Sequence, residues 1–173
     1  MDATDEPACP IAGVRIVPIQ QFADERGWFL EARRESWFRE LGGKESRQTN
    51  VVRSRRGVIR GLHYHELGQD DLFFCVEGMV RVVLFDRRPG SSSEGTAWSY
   101  DIGESNVAAV YIPGTIAHGY EALTDCLFVY NVTHEYDPSA PDEHNFPWSD
   151  ERVRHLWQAS TPILSARDVV PDA

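Results

Sequence analysis

Glycine or proline interrupts this chain about every ten residues, so the segments between are short enough to favour strands and turns over long helices. Val14–Ile19, Gly27–Ala32, Val58–Tyr64, Leu72–Val76, Met79–Asp86, Ala97–Ile102, Val107–Ile112 and Cys126–Thr133 are rich in valine, isoleucine, phenylalanine and tyrosine. Such side chains suit a pleated, half-buried surface, and many short strands at this spacing predict a sandwich or barrel. Two segments predict helices, Glu35–Leu41 and Asp150–Trp157, the second with Val153 and Trp157 spaced to share a helical face. Ser91–Ser93, after Pro89 and Gly90, reads as a turn; the proline-rich stretch Asp137–Trp148 reads as a long loop able to cover a site. No repeat or linker divides the chain, and its 173 residues suffice for one domain with its own core. The first eight residues and the last few are expected to fray.

The formal net charge is −10, which argues against nucleic acid as a partner, because that affinity rests on Lys and Arg meeting phosphates. Arg47, Arg53, Arg55, Arg56 and Arg60 nevertheless cluster in an acidic chain, a pattern that suits a small anionic ligand. Taken singly, Arg53, Arg55 and Arg56 read as a solvated face. No apolar run is long enough to cross a bilayer and the N-terminus lacks a basic, apolar leader layout, so no membrane partner and a cytoplasmic location are expected. Cys9, Cys75 and Cys126 show no metal or redox spacing and no disulfide framework; Cys75 and Cys126, inside apolar segments, read as packing residues.

Candidate chemistry concentrates in Gly57-Val-Ile-Arg-Gly-Leu-His-Tyr-His65. Alternate residues of a strand share a face, so His63 and His65 are expected to point the same way, after Arg60. A buried imidazole needs partners for two ring nitrogens, which makes the pair a site candidate.

Several segments, in the same order, resemble the dTDP-4-dehydrorhamnose 3,5-epimerase family over nearly the whole chain. Asp24-Glu25-Arg26-Gly27-Trp28-Phe29-Leu30-Glu31 looks like its D-x-R-G-x-F-x-E segment. Gln48-Thr49-Asn50 and Gly57–His63 look like its Q-x-N and G-V-x-R-G-L-H segments. Ile112–Tyr120 is similar to P-x-G-x-A-H-G-F with one residue changed near the proline; Tyr130 and Tyr136 match a spaced tyrosine pair; Leu164–Asp168 matches a closing L-S-x-[KR]-D. The resemblance implies an all-β fold, a double-stranded β-helix of the cupin kind with a few short helices. It also implies a homodimer that takes a small-molecule substrate, a nucleotide-diphospho-4-keto-6-deoxy sugar, and needs no cofactor.

The resemblance implies residue roles as well. His63 is the base beside the keto group, Asp168 orients its imidazole, and Tyr130 returns a proton from the opposite face. Arg26 and Arg60 hold the diphosphate, Phe22, Glu31, Gln48 and Asn50 contact the nucleotide, and His118 and Tyr136 face the sugar. The chemistry is coherent on its own terms. A hydrogen beside a ketone is removable only if the enolate is stabilised, so the site needs a base, an acid across the ring and an electropositive group at the carbonyl oxygen. A His–Asp pair is tunable as a base near neutral pH, a tyrosine serves as the acid if its pKa is lowered, and a guanidinium fork suits a diphosphate.

Two positions depart from the family pattern. His65 stands where the family has glutamine, and aligning Gln69-Asp70-Asp71-Leu72 on its Q-x-K-L puts Asp71 in the lysine column; Lys44 is the chain's only lysine. Metal-binding members of the wider cupin fold use H-x-H, an acid and a distant histidine, and His63, His65, Asp71 and His118 fit that set, with Asp70 a neighbour in nearly the same register. Such donors suit Fe(II), Mn(II), Ni(II) or Zn(II), and a divalent ion replaces a missing lysine as electrophile. In that alternative, a metal-dependent isomerase or dioxygenase, His63 is a ligand and not a free base. A third reading is a catalytically silent sugar-nucleotide binding protein.

Overall fold

Alternation along each strand sorts the side chains into layers. In the computed structural model, which describes residues 8–169, β1 (Arg15–Pro18), β2 (Gln21–Asp24) and β3 (Gly27–Leu30) precede the helix α1 (Glu35–Gly42). There follow β4 (Gln48–Ser54), β5 (Ile59–Tyr64), β6 (Asp71–Glu77), β7 (Met79–Phe85) and β8 (Ala97–Gly103). The last strands are β9 (Ala108–Ile112), β10 (Ala117–Ala122), β11 (Cys126–Val132) and the short β12 (His144–Asn145). The expected fraying of the ends falls, but for residue 8, outside the described residues.

Two antiparallel five-stranded sheets form, ordered β1-β9-β6-β11-β4 and β12-β5-β10-β7-β8, while β2 and β3 pair only with each other. The fold is the all-β double-stranded β-helix that the resemblance implies. Its main core lies between the sheets, where Phe73, Cys75, Val110 and Phe128 meet Val82, Leu84, Ile102 and Tyr120. Each buried side chain of this size contributes roughly 1.5–3 kcal/mol relative to an exposed one. Both sheets are also covered outside, which explains why β9 and β10 are buried along their whole length. Phe38 of α1 covers Leu72, Phe74 and Ala109. Val153 and Trp157 cover Ile59, Leu62 and Val83 of the other sheet.

That last contact corrects an expectation. Asp150–Trp157 is not a helix; only a 3₁₀ turn forms, at Arg154–Leu156. The spacing of Val153 and Trp157 reflects a shared sheet surface instead. The Trp157 indole donates to the Trp148 carbonyl at 2.8 Å, and Glu121 accepts the backbone N–H groups of Gln158 and Ala159 at 2.7 and 2.9 Å. These bonds tie the end of the segment to the sheet. Glu35–Leu41 is helical as expected, ending where Gly43 adopts a left-handed conformation (φ 69°). Cys75 and Cys126 are buried packing residues. Among the described residues no helix is long and apolar enough to cross a membrane.

Adjacent acids at the start of β6 show how alternation separates tasks. Asp70, just before the strand, turns outward, where it takes a 2.8 Å ion pair from Lys44, a 2.5 Å hydrogen bond from the Tyr111 hydroxyl and one of 3.2 Å from Gly114 N–H. Asp71 shares its face with Phe73 and turns inward.

A close backbone contact joins β5 to β10, whose register sets His63 opposite His118. Gly61 has φ 113°, and a Cβ there would lie 2.8 Å from the His118 carbonyl oxygen; a Cβ on Gly119 would lie 2.4 Å from that of Arg60. Gly119→Ala is expected to lower the unfolding free energy by about 1–3 kcal/mol through forced strand separation. Gly61→Ala should cost more, because backbone strain adds to the clash. Urea denaturation of the two variants measures this, and an unchanged midpoint for both would contradict the close approach.

Candidate active site

Between the sheets β5 and β10 face β6 and β11 across a cavity of about 380 Å³, walled by Arg60, His63, His118, Phe73 and Tyr130. It shares His65, Gln69, Tyr130, Glu143 and Arg167 with an outer cavity of about 530 Å³. The loop after Tyr136 forms part of the wall of both, as the proline-rich stretch suggested.

His63 is held from two sides. Its Nε2 lies 2.9 Å from Asp168 Oδ1 and its Nδ1 lies 3.2 Å from Glu143 Oε1. Burial alone would raise the Asp168 carboxyl, but hydrogen bonds from His63 and from the Ser165 hydroxyl (2.6 Å) hold it below the ordinary range. Asp168 is therefore an anion that accepts Nε2–H, which leaves Nδ1 as the ring nitrogen placed to exchange a proton with a ligand in the cavity. Glu143 is held in turn by Arg167 at 2.6 Å. Neither Glu143 nor Arg167 was singled out from sequence. The signals for them were the covering loop and the basic position inside Leu164–Asp168.

Tyr130 stands on the wall common to both cavities, edge-on to Phe73. Burial and the nearby Asp71 and Glu143 carboxylates raise its pKa, with Arg60 and Arg167 pulling the other way. The lowered pKa expected of an acid is not found; this tyrosine keeps its proton. Arg60 lines the inner cavity and donates from Nε to the Ser54 hydroxyl at 3.1 Å. Gln48, Asn50 and Tyr136 gather in the outer cavity: the Gln48 amide donates to Asn50 Oδ1 at 2.7 Å and accepts the Tyr136 N–H at 2.9 Å.

Phe22, Arg26 and Glu31 are not brought to either cavity. They belong to or flank the β2–β3 ribbon, which joins neither sheet and is exposed along β2. Phe22 and Glu31 line a separate surface hollow beside Trp37, and Asp24 clamps the Arg26 guanidinium at the ribbon's turn.

The proposed metal set is also corrected. His63 is not part of it, since both its ring nitrogens face carboxylates. Asp70 turns away to Lys44. His65, Asp71 and His118 do come together, with one ligand-capable atom of each within 4.8 Å of the others. His65 lies one residue past the end of β5, where its N–H bonds to the Gly114 carbonyl at 2.6 Å. Its ring Nδ1 is bonded to the Asp142 carbonyl rather than to His63's partners. Burial pushes the Asp71 carboxyl up to about 6 and the His118 imidazole down to about 4; burial and the adjacent His118 lower His65.

The family model described as dTDP-4-dehydrorhamnose 3,5-epimerase matches residues 8–172. The Bacillus subtilis (strain 168) spore coat polysaccharide biosynthesis protein SpsL is 38% identical over 151 residues, covering 85% of this chain and 96% of its own. The dTDP-4-dehydrorhamnose 3,5-epimerase of Escherichia coli K12 is 36% identical, over 91% of this chain and 88% of its own. Among solved structures, NovW, a 4-keto-6-deoxy sugar epimerase from the novobiocin gene cluster of Streptomyces spheroides, superposes with a TM-score of 0.84 at 34% identity. That match covers 93% of this chain and 82% of NovW.

The hydrogen bonding makes one outcome specific. His118 Nδ1–H donates to the Ile116 carbonyl at 2.8 Å. Long-range ¹H–¹⁵N spectra should therefore show His118 neutral at pH 7 with its proton on Nδ1, charging only as pH falls to about 4. An Nε2–H tautomer would contradict this geometry, and a ring charged at pH 6 would contradict the effect of its burial.

Proposed function

The chain belongs to the dTDP-4-dehydrorhamnose 3,5-epimerase family, and we propose that His63 and Tyr130 work the two faces of its sugar ring. It is an isomerase that removes and returns a proton beside the keto group of a nucleotide-diphospho-4-keto-6-deoxy sugar. The observation that carries the residue assignment is the 2.9 Å His63–Asp168 pair inside a cavity that Tyr130 also walls.

His63 Nδ1 takes the proton from the carbon next to the carbonyl, and the electron pair of that bond moves onto the carbonyl oxygen. The imidazolium formed then has a carboxylate at each N–H, Asp168 and Glu143, and charge-assisted hydrogen bonds of this kind stabilise it. Tyr130, which keeps its proton in the buried site, returns one from the other face and so inverts the carbon. Arg60 holds the diphosphate, joined by Arg167, which reaches both cavities. Gln48 and Asn50 contact the nucleotide in the outer cavity, while His118 and Tyr136 face the sugar.

Within one chain Phe22, Arg26 and Glu31 cannot contact a ligand in these cavities. A homodimer supports their role, because a ribbon that pairs with neither sheet is available to a second copy. Its Phe22, Trp28 and Phe29 are 56%, 51% and 63% exposed, an apolar surface that association would bury.

In deuterated solvent the enzyme is expected to introduce deuterium beside the keto group. His63→Ala should slow that exchange by roughly 10²–10⁴-fold, the usual worth of a positioned base. Tyr130→Phe should leave exchange while impairing inversion. Absence of exchange with every 4-keto sugar nucleotide tried would sink the reading. Trp28→Asp combined with Phe29→Asp should convert the species seen in sedimentation velocity to monomer; an unaltered dimer would place the interface elsewhere.

A further inference from the structure

Two imidazoles of the inner cavity and a buried carboxylate beside them take no part in the proton relay. His65, Asp71 and His118 are all buried, and their ligand-capable atoms converge. The orientation of the rings is fixed from behind. His118 Nδ1 bonds the Ile116 carbonyl and His65 Nδ1 bonds the Asp142 carbonyl. A carbonyl oxygen only accepts, so each neutral ring carries its proton on Nδ1 and presents the lone pair of Nε2. The Gln69 amide donates to His65 Nε2 at 3.0 Å, as that tautomer requires.

Both lone pairs face the same oxygen. His65 Nε2 lies 3.8 Å and His118 Nε2 3.7 Å from Asp71 Oδ2. These distances are too long for hydrogen bonds, and neither nitrogen has a proton to give. Among the described residues the Asp71 carboxylate has one side-chain hydrogen-bond donor, the Gln69 amide at 3.4 Å. Three electron-pair donors thus point into one space, with backbone carbonyls locking the rings as they do behind metal-ligating histidines.

We propose that His65, Asp71 and His118 bind a divalent first-row transition ion inside the barrel. Two imidazole nitrogens and a carboxylate oxygen leave further positions open to a ligand in the cavity that His65 and His118 line. Bonds of about 2.0–2.2 Å put neighbouring ligand atoms about 3.0–3.5 Å apart, so the two imidazole–carboxylate pairs, at 3.8 and 3.7 Å, need to close by less than roughly 1 Å and the imidazoles by at most roughly 2 Å. Gln69 gives up its bonds to His65 and Asp71 when they do.

The ion's role rests on the epimerase reading. When His63 takes the proton and the electron pair moves to the carbonyl oxygen, the charge developing there requires an electropositive partner; an ion held by these residues supplies one as a Lewis acid, without change of its oxidation state. Lys44 cannot serve, because it lies outside the barrel, bound to Asp70 at 2.8 Å and to the Gly68 carbonyl at 2.6 Å. Nor does His63 have to choose between base and ligand, since it is not in the donor set.

The test begins with untagged protein stripped by a chelator and titrated with Co(II) or Zn(II) by calorimetry, with the visible absorption of Co(II) as a second readout. About one ion per chain is expected, with His65→Gln and Asp71→Asn each weakening binding by roughly 100-fold and His63→Ala leaving it nearly unchanged. Circular dichroism melts identify any variant that fails to fold, and the other then decides. No saturable binding up to about 1 mM, or equal binding by wild type and both variants, overturns the site. Deuterium exchange that collapses on chelation and returns with metal supports the Lewis-acid role. Exchange that ignores chelation overturns that role and leaves the epimerase reading standing, whereas no exchange in either state overturns the epimerase reading and leaves the binding result intact.

Discussion

The contact on which the site depends is made by backbone alone. Gly61 and Gly119 let β5 and β10 approach to a distance that no side chain would permit, with a Cβ on either falling under 3 Å from a carbonyl oxygen. That approach sets His63 against His118 in the ladder and leaves a register irregularity between His118 and Tyr120. The inner wall is thereby drawn to face β6 and β11, where Phe73 and Tyr130 complete it. Packing on both outer surfaces holds the two sheets in place around this contact.

Much of the scaffold was legible because its inner strands are apolar on both faces. The segments read from the sequence as Leu72–Val76, Met79–Asp86 and Val107–Ile112 correspond to β6, β7 and β9 to within a residue or two. The strands that escaped notice carry polar or small residues for local reasons. β4, Gln48–Ser54, is an edge strand with alternating exposure, and its apolar content is low. β10 reads Ala-His-Gly-Tyr-Glu-Ala, yet all of it is buried, its histidine serving the cavity, its glycine the close contact and its glutamate the tie to Gln158 and Ala159. Function had replaced the hydrophobic pattern there. The helix expected at Asp150–Trp157 failed for the converse reason: two apolar residues at helical spacing also lie along a chain draped over a sheet.

In the candidate site, ordered motifs identified His63, Tyr130, Asp168 and Arg60, because each is anchored to a strand or closing segment whose local sequence is distinctive. Periodicity was less reliable for His65. It does line the same cavity as His63, but beyond the end of β5 its ring is set by the Asp142 carbonyl and not by the pleat. Glu143 was invisible for a related reason: it lies in a loop, where spacing carries no geometric information, and only the fold brings it to 3.2 Å from His63. Phe22, Arg26 and Glu31 show the limit from the other side, since a single chain leaves their ribbon apart from the cavities.

The neighbouring acids at the start of β6 have opposite obligations. Asp70 secures Lys44, Tyr111 and Gly114 on the outside, while Asp71 contributes only to the interior cluster. Because the pleat assigns these duties to separate residues, mutation at position 71 leaves the external clamp intact. A substitution at position 71 therefore alters the interior cluster without rebuilding the barrel around it. Heritable change in chemistry is decoupled from heritable change in architecture by a single step along the strand.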